Sequence, residues 1–418
     1  MQTQPLRAEA APTGLGRALA LLSSEPHRLM FFFGALQGVV AFGWWAADIV
    51  ARYGASDVLY AWTVPAMWAH AWLLLYGLFP FFMFGFLMTA GPNWLGAPRP
   101  PRAAFIPAAV AMAAGVVLFY GGLFIARELA GAGILIHFAG WLWGIAVLVR
   151  MLVRYWNPNA RYALVLFVFF TIGCVGSAIF GLSVATGSYT FAGYALLGAV
   201  WFFLLPIFAG VSTRMVPFFS RGILGPSVDY RPLWARPALM AGVIAHGAIE
   251  LSGAGQWLWV IDAPLALIVA YLAGRWGLTR SFRVRLLAVL HISLAVLASA
   301  FALYALLSAA VATHALTQVG LAPLHLLTIG YFAAMTVGMV SRVSLGHSGR
   351  PLEADTWTWC CYLGLLVAAL LRALAEFSSG ADYGRVLMVL AALTAFASFA
   401  AWAWRYVPMY VTPRVDAR

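Results

Sequence analysis

The sequence contains no lysine, so all of its basic charge is arginine, and Asp and Glu together number 13 against 25 basic residues. Charged residues make up only 9% of the 418, where soluble domains carry about a quarter. That scarcity excludes water as the main solvent. The three cysteines, Cys174, Cys360 and Cys361, lie in or beside apolar runs and form no C-x-x-C pair. No secreted disulfide framework and no cysteine metal motif is therefore expected, and buried structural thiols are. Residues 1–28 contain no apolar stretch of the kind a cleavable signal peptide needs, so the first apolar run is expected to direct insertion itself.

What the chain does contain is hydrophobic sequence: 64% of residues are apolar and the mean hydropathy is +0.90. Apolar runs recur between turn-forming breaks, and many reach the roughly 20 residues that cross a hydrocarbon core of about 30 Å. Their length, with Gly and Pro inside them, favours helices over a barrel. Twelve spans are predicted, at 29–50, 67–91, 103–126, 133–152, 161–186, 191–213, 233–253, 257–276, 284–311, 318–341, 357–377 and 382–406. The fold class is an all-α polytopic membrane bundle: residues 1–28 form an N-terminal tail, 29–406 a single transmembrane domain, and 407–418 a C-terminal tail.

A formal net charge of +12 in a soluble protein would suggest a nucleic-acid partner. The placement of the arginines points to a lipid bilayer instead, because they fall in every second connection. On this topology 21 arginines share one side with both tails, and 4 (Arg52, Arg127, Arg372 and Arg385) lie on the other. The positive-inside rule then puts both termini in the cytoplasm and requires an even number of spans.

Ionisable residues inside a span are costly and mark candidate sites. Even-numbered spans run from outside to inside, which places His70, His137 and His325 near the outer ends of spans 2, 4 and 10. Span 7 runs the other way, so His246 also lies in its outer half, with Glu250 one turn further on the same face. Four helices thus bring histidine to similar depth. Haem and copper both accept neutral imidazole, and helical bundles build such sites from side chains on different helices. Each histidine also has a plainer reading, a hydrogen bond to a neighbouring helix. His291 falls in the inner third of span 9, while His27 and His347 are cytoplasmic or interfacial. His314 belongs to an external connection.

On span 4, His137, Trp141 and Gly144 share a face, and Gly140 completes a G-x-x-x-G that would let a flat ring or another helix come close. On span 10, His325, Thr328, Phe332, Met339 and Arg342 fall on one side, with the polar ends about 25 Å apart. The inner side carries Pro92-Asn93-Trp94, Arg214 to Arg221 and Arg342 to Pro351. Arg214 and Arg342 could hold the carboxylates of a cofactor, or serve only to set topology at lipid headgroups.

Three of these segments resemble the NnrS family of bacterial membrane proteins. The most characteristic runs from Leu326 to Tyr331 (LLTIGY) and from Met339 to Leu352 (MVSRVSLGHSGRPL). Gly85 to Gly96 (GFLMTAGPNWLG) is similar to the family's second-helix block, and Arg214 to Ser220 (RMVPFFS) to its G-R-x-x-P-x-F-T element. The resemblance implies a haem- and copper-containing protein of the bacterial inner membrane, involved in nitric oxide metabolism or protection. By position, His70 matches the first histidine of the family's H-A-H-E run, His325 the one opening the tenth-helix block, and His347 that of G-H-x-G-R-P. Trp72 and Leu73 stand where the second histidine and the glutamate of H-A-H-E would be, so this chain cannot use that pair.

The leading expectation is a membrane protein that binds nitric oxide at non-covalent haem b and reduces or detoxifies it, since no C-x-x-C-H attachment motif is present. Reduction joins two molecules with two electrons and two protons. A second metal, copper or non-haem iron, would hold the reacting atoms close. The expected haem ligands are His70, His325 and His137, with Arg214 and Arg342 beside the haem. The expected metal ligands are drawn from His246, His70, His325, His291 and His347, and Glu250 is the expected proton donor. Electrons would come from a periplasmic donor or a membrane quinol. Two other classes stay open: a haem-based sensor or accessory protein without turnover, and a twelve-helix secondary transporter, for which broken-helix signals such as Pro80 and Pro206 are few.

Overall fold

In the computed structural model, which describes residues 14–54, 60–378 and 382–416, the described residues form helices and turns without strands. Ten helices are long and apolar enough to cross a membrane. In chain order they are α1 Pro26–Tyr53, α2 Ala66–Leu95, α3 Arg102–Ile125, α4 Arg127–Arg154, α5 Ala160–Thr186, α6 Ala192–Leu224, α9 Arg285–Ala312, α10 Ala322–His347, α11 Thr356–Phe377 and α12 Asp382–Val411. The spans expected at 233–253 and 257–276 are present as α7 Ala235–Leu251 and α8 Trp259–Arg275, but each has only 17 residues. That is about 26 Å of helix, short of a full hydrocarbon core. These two consecutive helices pack against each other.

Large apolar side chains cover the outside. Val117, Leu267, Leu306 and Trp404 are each at least 69% exposed, a surface suited to lipid. Inside, one apolar core runs from Leu22 to Tyr410, and α1 packs against α12, so the first and last spans close the bundle. A short helix, Gly14–Leu22, lies within the segment read as a tail. The α11 start is fixed by Asp355, whose carboxylate accepts the Thr358 N–H at 2.8 Å, a side-chain cap.

The tightest pairing is α3 with α4, joined through Ala126 alone. Small residues allow it: a Cβ on Gly115 would meet the backbone of His137 and Gly133, and one on Gly133 would meet Phe119 and Gly115. Gly140 likewise faces Ala108 and Met112 of α3, so the G-x-x-x-G of α4 serves helix packing here. Gly115→Ala is expected to destabilise the protein by about 1–3 kcal/mol through overpacking, read as a lower unfolding midpoint in detergent. An unchanged midpoint would mean that α3 and α4 are less closely packed than this.

Three helices are interrupted. In α2, Ala66–Leu75 is followed by a break before Phe79–Leu95, where Pro80 has no N–H to offer the Tyr76 carbonyl. In α6, Val200–Leu204 is π-helical, immediately before Pro206, which cannot donate to Phe202. In α10, Leu326–Ala333 is π-helical, and nothing in its sequence explains why. A π segment takes more residues per turn and turns the downstream face. This is why the one-sided stripe expected on span 10 divides: the segment of His325 packs on α11, Met339 lines an apolar void, and Arg342 packs on Phe219 of α6.

Candidate functional site

The histidines expected at similar depth separate into two groups and one isolated ring. His70 and His325 form the first group. His70, on the first half of α2, stacks on Trp45 of α1 with ring centroids 3.9 Å apart and planes 16° from parallel, and its buried Nδ1 has no partner. His325 and Arg372 are the ionisable groups whose charge reaches it. The Nδ1 of His325 lies 2.9 Å from the Leu321 carbonyl oxygen. A carbonyl only accepts, so Nδ1 carries the proton, and the Nε2 lone pair is left free. This is how a protein usually orients a histidine that ligates a metal. Arg372 is held by Glu376 at 3.1 Å. The π segment of α10 begins at the residue after His325, and such segments are frequent at functional sites.

The second group centres on His246 of α7, which is fully buried. Its Nδ1 is 2.7 Å from Oδ1 of Asp262, an equally buried carboxylate in the first turn of α8. Its Nε2 is 3.5 Å from Oε2 of Glu250, and neither of those two atoms has a hydrogen-bond partner. Trp201, in the π segment of α6, stacks on the imidazole at 3.5 Å, and Tyr304 of α9 meets it edge-on at 4.8 Å. Asp262 thus orients the ring, and Nε2 and Oε2 face the same small space. A cation held there, or a proton shared between the two, would satisfy both atoms. Sequence reasoning paired His246 with Glu250 but missed Asp262, although the signal was visible: a carboxylate early in an otherwise apolar span.

His137 stands apart. It is fully buried, and neither ring nitrogen has a partner. Trp72, Trp141 and Phe81 surround it edge-on at 5.5 to 6.1 Å. The positions that depart from H-A-H-E are filled by packing: Trp72 is buried and donates to Ser177 at 3.2 Å, and the Leu73 carbonyl accepts from Gln37 at 3.2 Å.

The other expected site residues do not join either group. His291 bonds Ser220 at 2.8 Å, linking α9 to α6. Arg214 lies over the rings of Trp94 and Tyr162 at 4.9 and 4.7 Å, and Arg342 over Phe219 at 4.0 Å. These are cation–π contacts. His347 packs against His27 at 4.3 Å at the arginine-rich end. Among the described residues no three His, Cys, Asp or Glu side chains are arranged to hold one metal ion, so a metal at either group would keep open positions.

Between the arginine-poor end, which carries both groups, and the arginine-rich end lies an open apolar void. Helices α1, α2, α6 and α10 line it with Phe, Met and aliphatic side chains, and Ser212 and Thr336 are its only hydroxyls. Ser212 is already bonded to the Tyr331 hydroxyl at 3.0 Å. Such a space suits small apolar molecules and offers nothing to an ion.

A family model described as NnrS protein matches residues 21–414, nearly the whole chain. A search of curated proteins finds no match.

Proposed function

We propose, for a chain that belongs to the NnrS family, that it is a haem protein taking nitric oxide from the bilayer and reducing or detoxifying it at the arginine-poor end of the bundle. The observation that carries this reading is that His325 and His70, each with an unengaged ring nitrogen, lie within reach of each other's charge at one end of the bundle. The proton on His325 Nδ1 leaves Nε2 as a free donor, and His70 Nδ1 is buried without a partner. Neutral imidazoles oriented in this way fit non-covalent haem. Haem supplies a reducible iron that binds small uncharged gases. The chain's own residues supply the rest.

His246 Nε2 and Glu250 Oε2 fit a second metal, copper or non-haem iron, with Asp262 as the positioning residue behind the imidazole. Without a metal, Glu250 is the candidate proton donor of this group. Nitric oxide is uncharged and dissolves in lipid, so the apolar void gives it a place to concentrate within the bundle. The arginine distribution supports a bacterial inner-membrane protein with both termini cytoplasmic. That orientation would put the histidine groups near the periplasmic side, within reach of a periplasmic electron donor or a membrane quinol.

The breaks in α2, α6 and α10 favour a transporter as a second reading, because transporters use discontinuous helices. The space those helices surround is almost wholly apolar, however, and has no ionised lining group to bind a charged solute.

The test is optical and metal analysis of the detergent-purified protein. We expect a haem spectrum that changes with nitric oxide, haem fully released by acidified organic solvent, and a second transition metal. Folded protein containing neither haem nor metal would overturn the proposal.

A further inference from the structure

A third cluster, at the arginine-rich end, takes no part in either histidine group. It lies where the start of α1, the end of α10 and the chain after α12 meet. His27 is 2% exposed and Arg28 7%. The Nδ1 of His27 has no partner, and neither has Nη1 of Arg350, which is also buried. Arg28 donates from Nη1 to the carbonyls of Tyr410 and Thr412 at 3.1 and 3.0 Å. Arg414 reaches the His347 carbonyl at 3.4 Å. Arg350 and Arg414 are both close enough for their charge to act on Arg28, and His27 is subject to that of His347, Arg28 and Arg99.

Among the described residues the acids here are already engaged. Glu25 pairs with Arg99 at 2.6 Å and Asp416 with Arg414 at 2.7 Å. The hydrogen bond from Arg414 holds the Asp416 carboxyl below the usual carboxylate range, so that pair stays ionised. Carbonyl oxygens satisfy the Arg28 N–H groups without cancelling their charge. The charge of Glu25 reaches Arg28, but Glu25 is shared with Arg99, and among the described residues neither Arg28 nor Arg350 has a carboxylate within ion-pair distance. Gathering like charge in a part-buried place is unfavourable without a counter-charge, and it repels a metal cation. The α1 N-terminus adds to the field, since Glu25 provides no side-chain cap and the first-turn N–H groups point towards the same end.

We infer that this cluster is an oxyanion site of the phosphate type. His27 Nδ1 and Arg350 Nη1 are its unpartnered groups, and Arg28 supplies further positive charge beside them. Donors reaching in from separate elements, with two guanidinium groups, suit a tetrahedral, multiply charged group. The anion is either the phosphate of a membrane lipid, whose headgroups lie at this depth, or free inorganic phosphate.

Two measurements on the full-length protein in neutral detergent separate the sources. In the first, sodium phosphate is titrated against sodium chloride at matched ionic strength while the unfolding midpoint is followed. In the second, native mass spectrometry counts phospholipids retained through purification. Free phosphate predicts a saturating rise on the order of 3 °C near 100 times Kd, with no retained lipid. A lipid source predicts one retained anionic phospholipid and no response to added phosphate. Whichever signal the wild type gives, Arg350→Gln and His27→Gln are expected to lose it, while Arg405→Gln, at the same face but paired with Asp355, keeps it. The inference fails if the wild type shows neither signal, or if Arg350→Gln and His27→Gln retain it undiminished.

Discussion

His325→Ala is expected to strip haem from the purified protein, lowering occupancy by about tenfold or more, because even the groups that only orient a ligand are worth 10- to 100-fold in metal affinity. The measurement is the ratio of haem absorbance to protein absorbance after purification. His70→Ala is expected either to do the same or to leave haem with a changed spin state, since one of two imidazoles would remain. His137→Ala provides the contrast. Its ring nitrogens face only aromatic side chains, so it should lower stability by leaving a cavity while haem per folded protein stays the same. His347→Ala, at the opposite end of α10, should also leave the spectrum intact. If haem survives in His325→Ala and disappears in His137→Ala, the assignment of the haem to the His70 and His325 pair is wrong.

The second large effect is expected at Asp262, through its contact with His246. Asp262→Asn keeps the shape but removes the charge that fixes the imidazole, and it should weaken the second metal by about 10- to 100-fold without changing haem content. Glu250→Gln and His246→Ala should each abolish that metal, because each removes one of the two unpartnered atoms that face each other at 3.5 Å. Metal analysis on matched preparations reads all three variants. A wild-type protein with no second metal would leave the proton role instead. In that case Glu250→Gln should slow nitric oxide turnover with haem binding unchanged, and turnover at the wild-type rate would remove Glu250 from the mechanism as well.

Part of this site could be read from the residues in order. His70, His246, Glu250 and His325 stood out because each is a polar side chain inside an apolar run, and their depth followed from position along a span and from the direction of that span. What depth could not give was azimuth. His70 lies close enough to His325 for the charge of one to act on the other, while His137, read at a similar depth, points into aromatic packing, and the difference lies in which face each helix turns inward. Asp262 was legible as an acid in an apolar span, but its partner sits on the neighbouring helix, 16 positions away in sequence. The π segments of α6 and α10 were not legible. Pro206 marked a break in the first without giving its π form, and the second has no local signature.

By itself the sequence determined the solvent, the helical class and the arginine-poor and arginine-rich ends, because these depend on summed hydropathy and charge, which need no knowledge of neighbours. It also determined family membership, through blocks that lie on α2, α6 and α10. Only the tertiary structure decided that α10 is broken along with α2 and α6, where Pro80 and Pro206 had signalled breaks, and that the three help to line an apolar void. Only it decided that α7 and α8 are, at 17 residues each, the shortest of the twelve, and that His27, an unremarkable residue before the first apolar run, lies against His347 from the other end of the chain. The physical reason is the same in each case. Burial in a bilayer is set residue by residue, whereas contact between side chains 320 positions apart depends on how every intervening helix packs, through small residues such as Gly115 and Gly133 and through turns that shift a helix face part-way along its length.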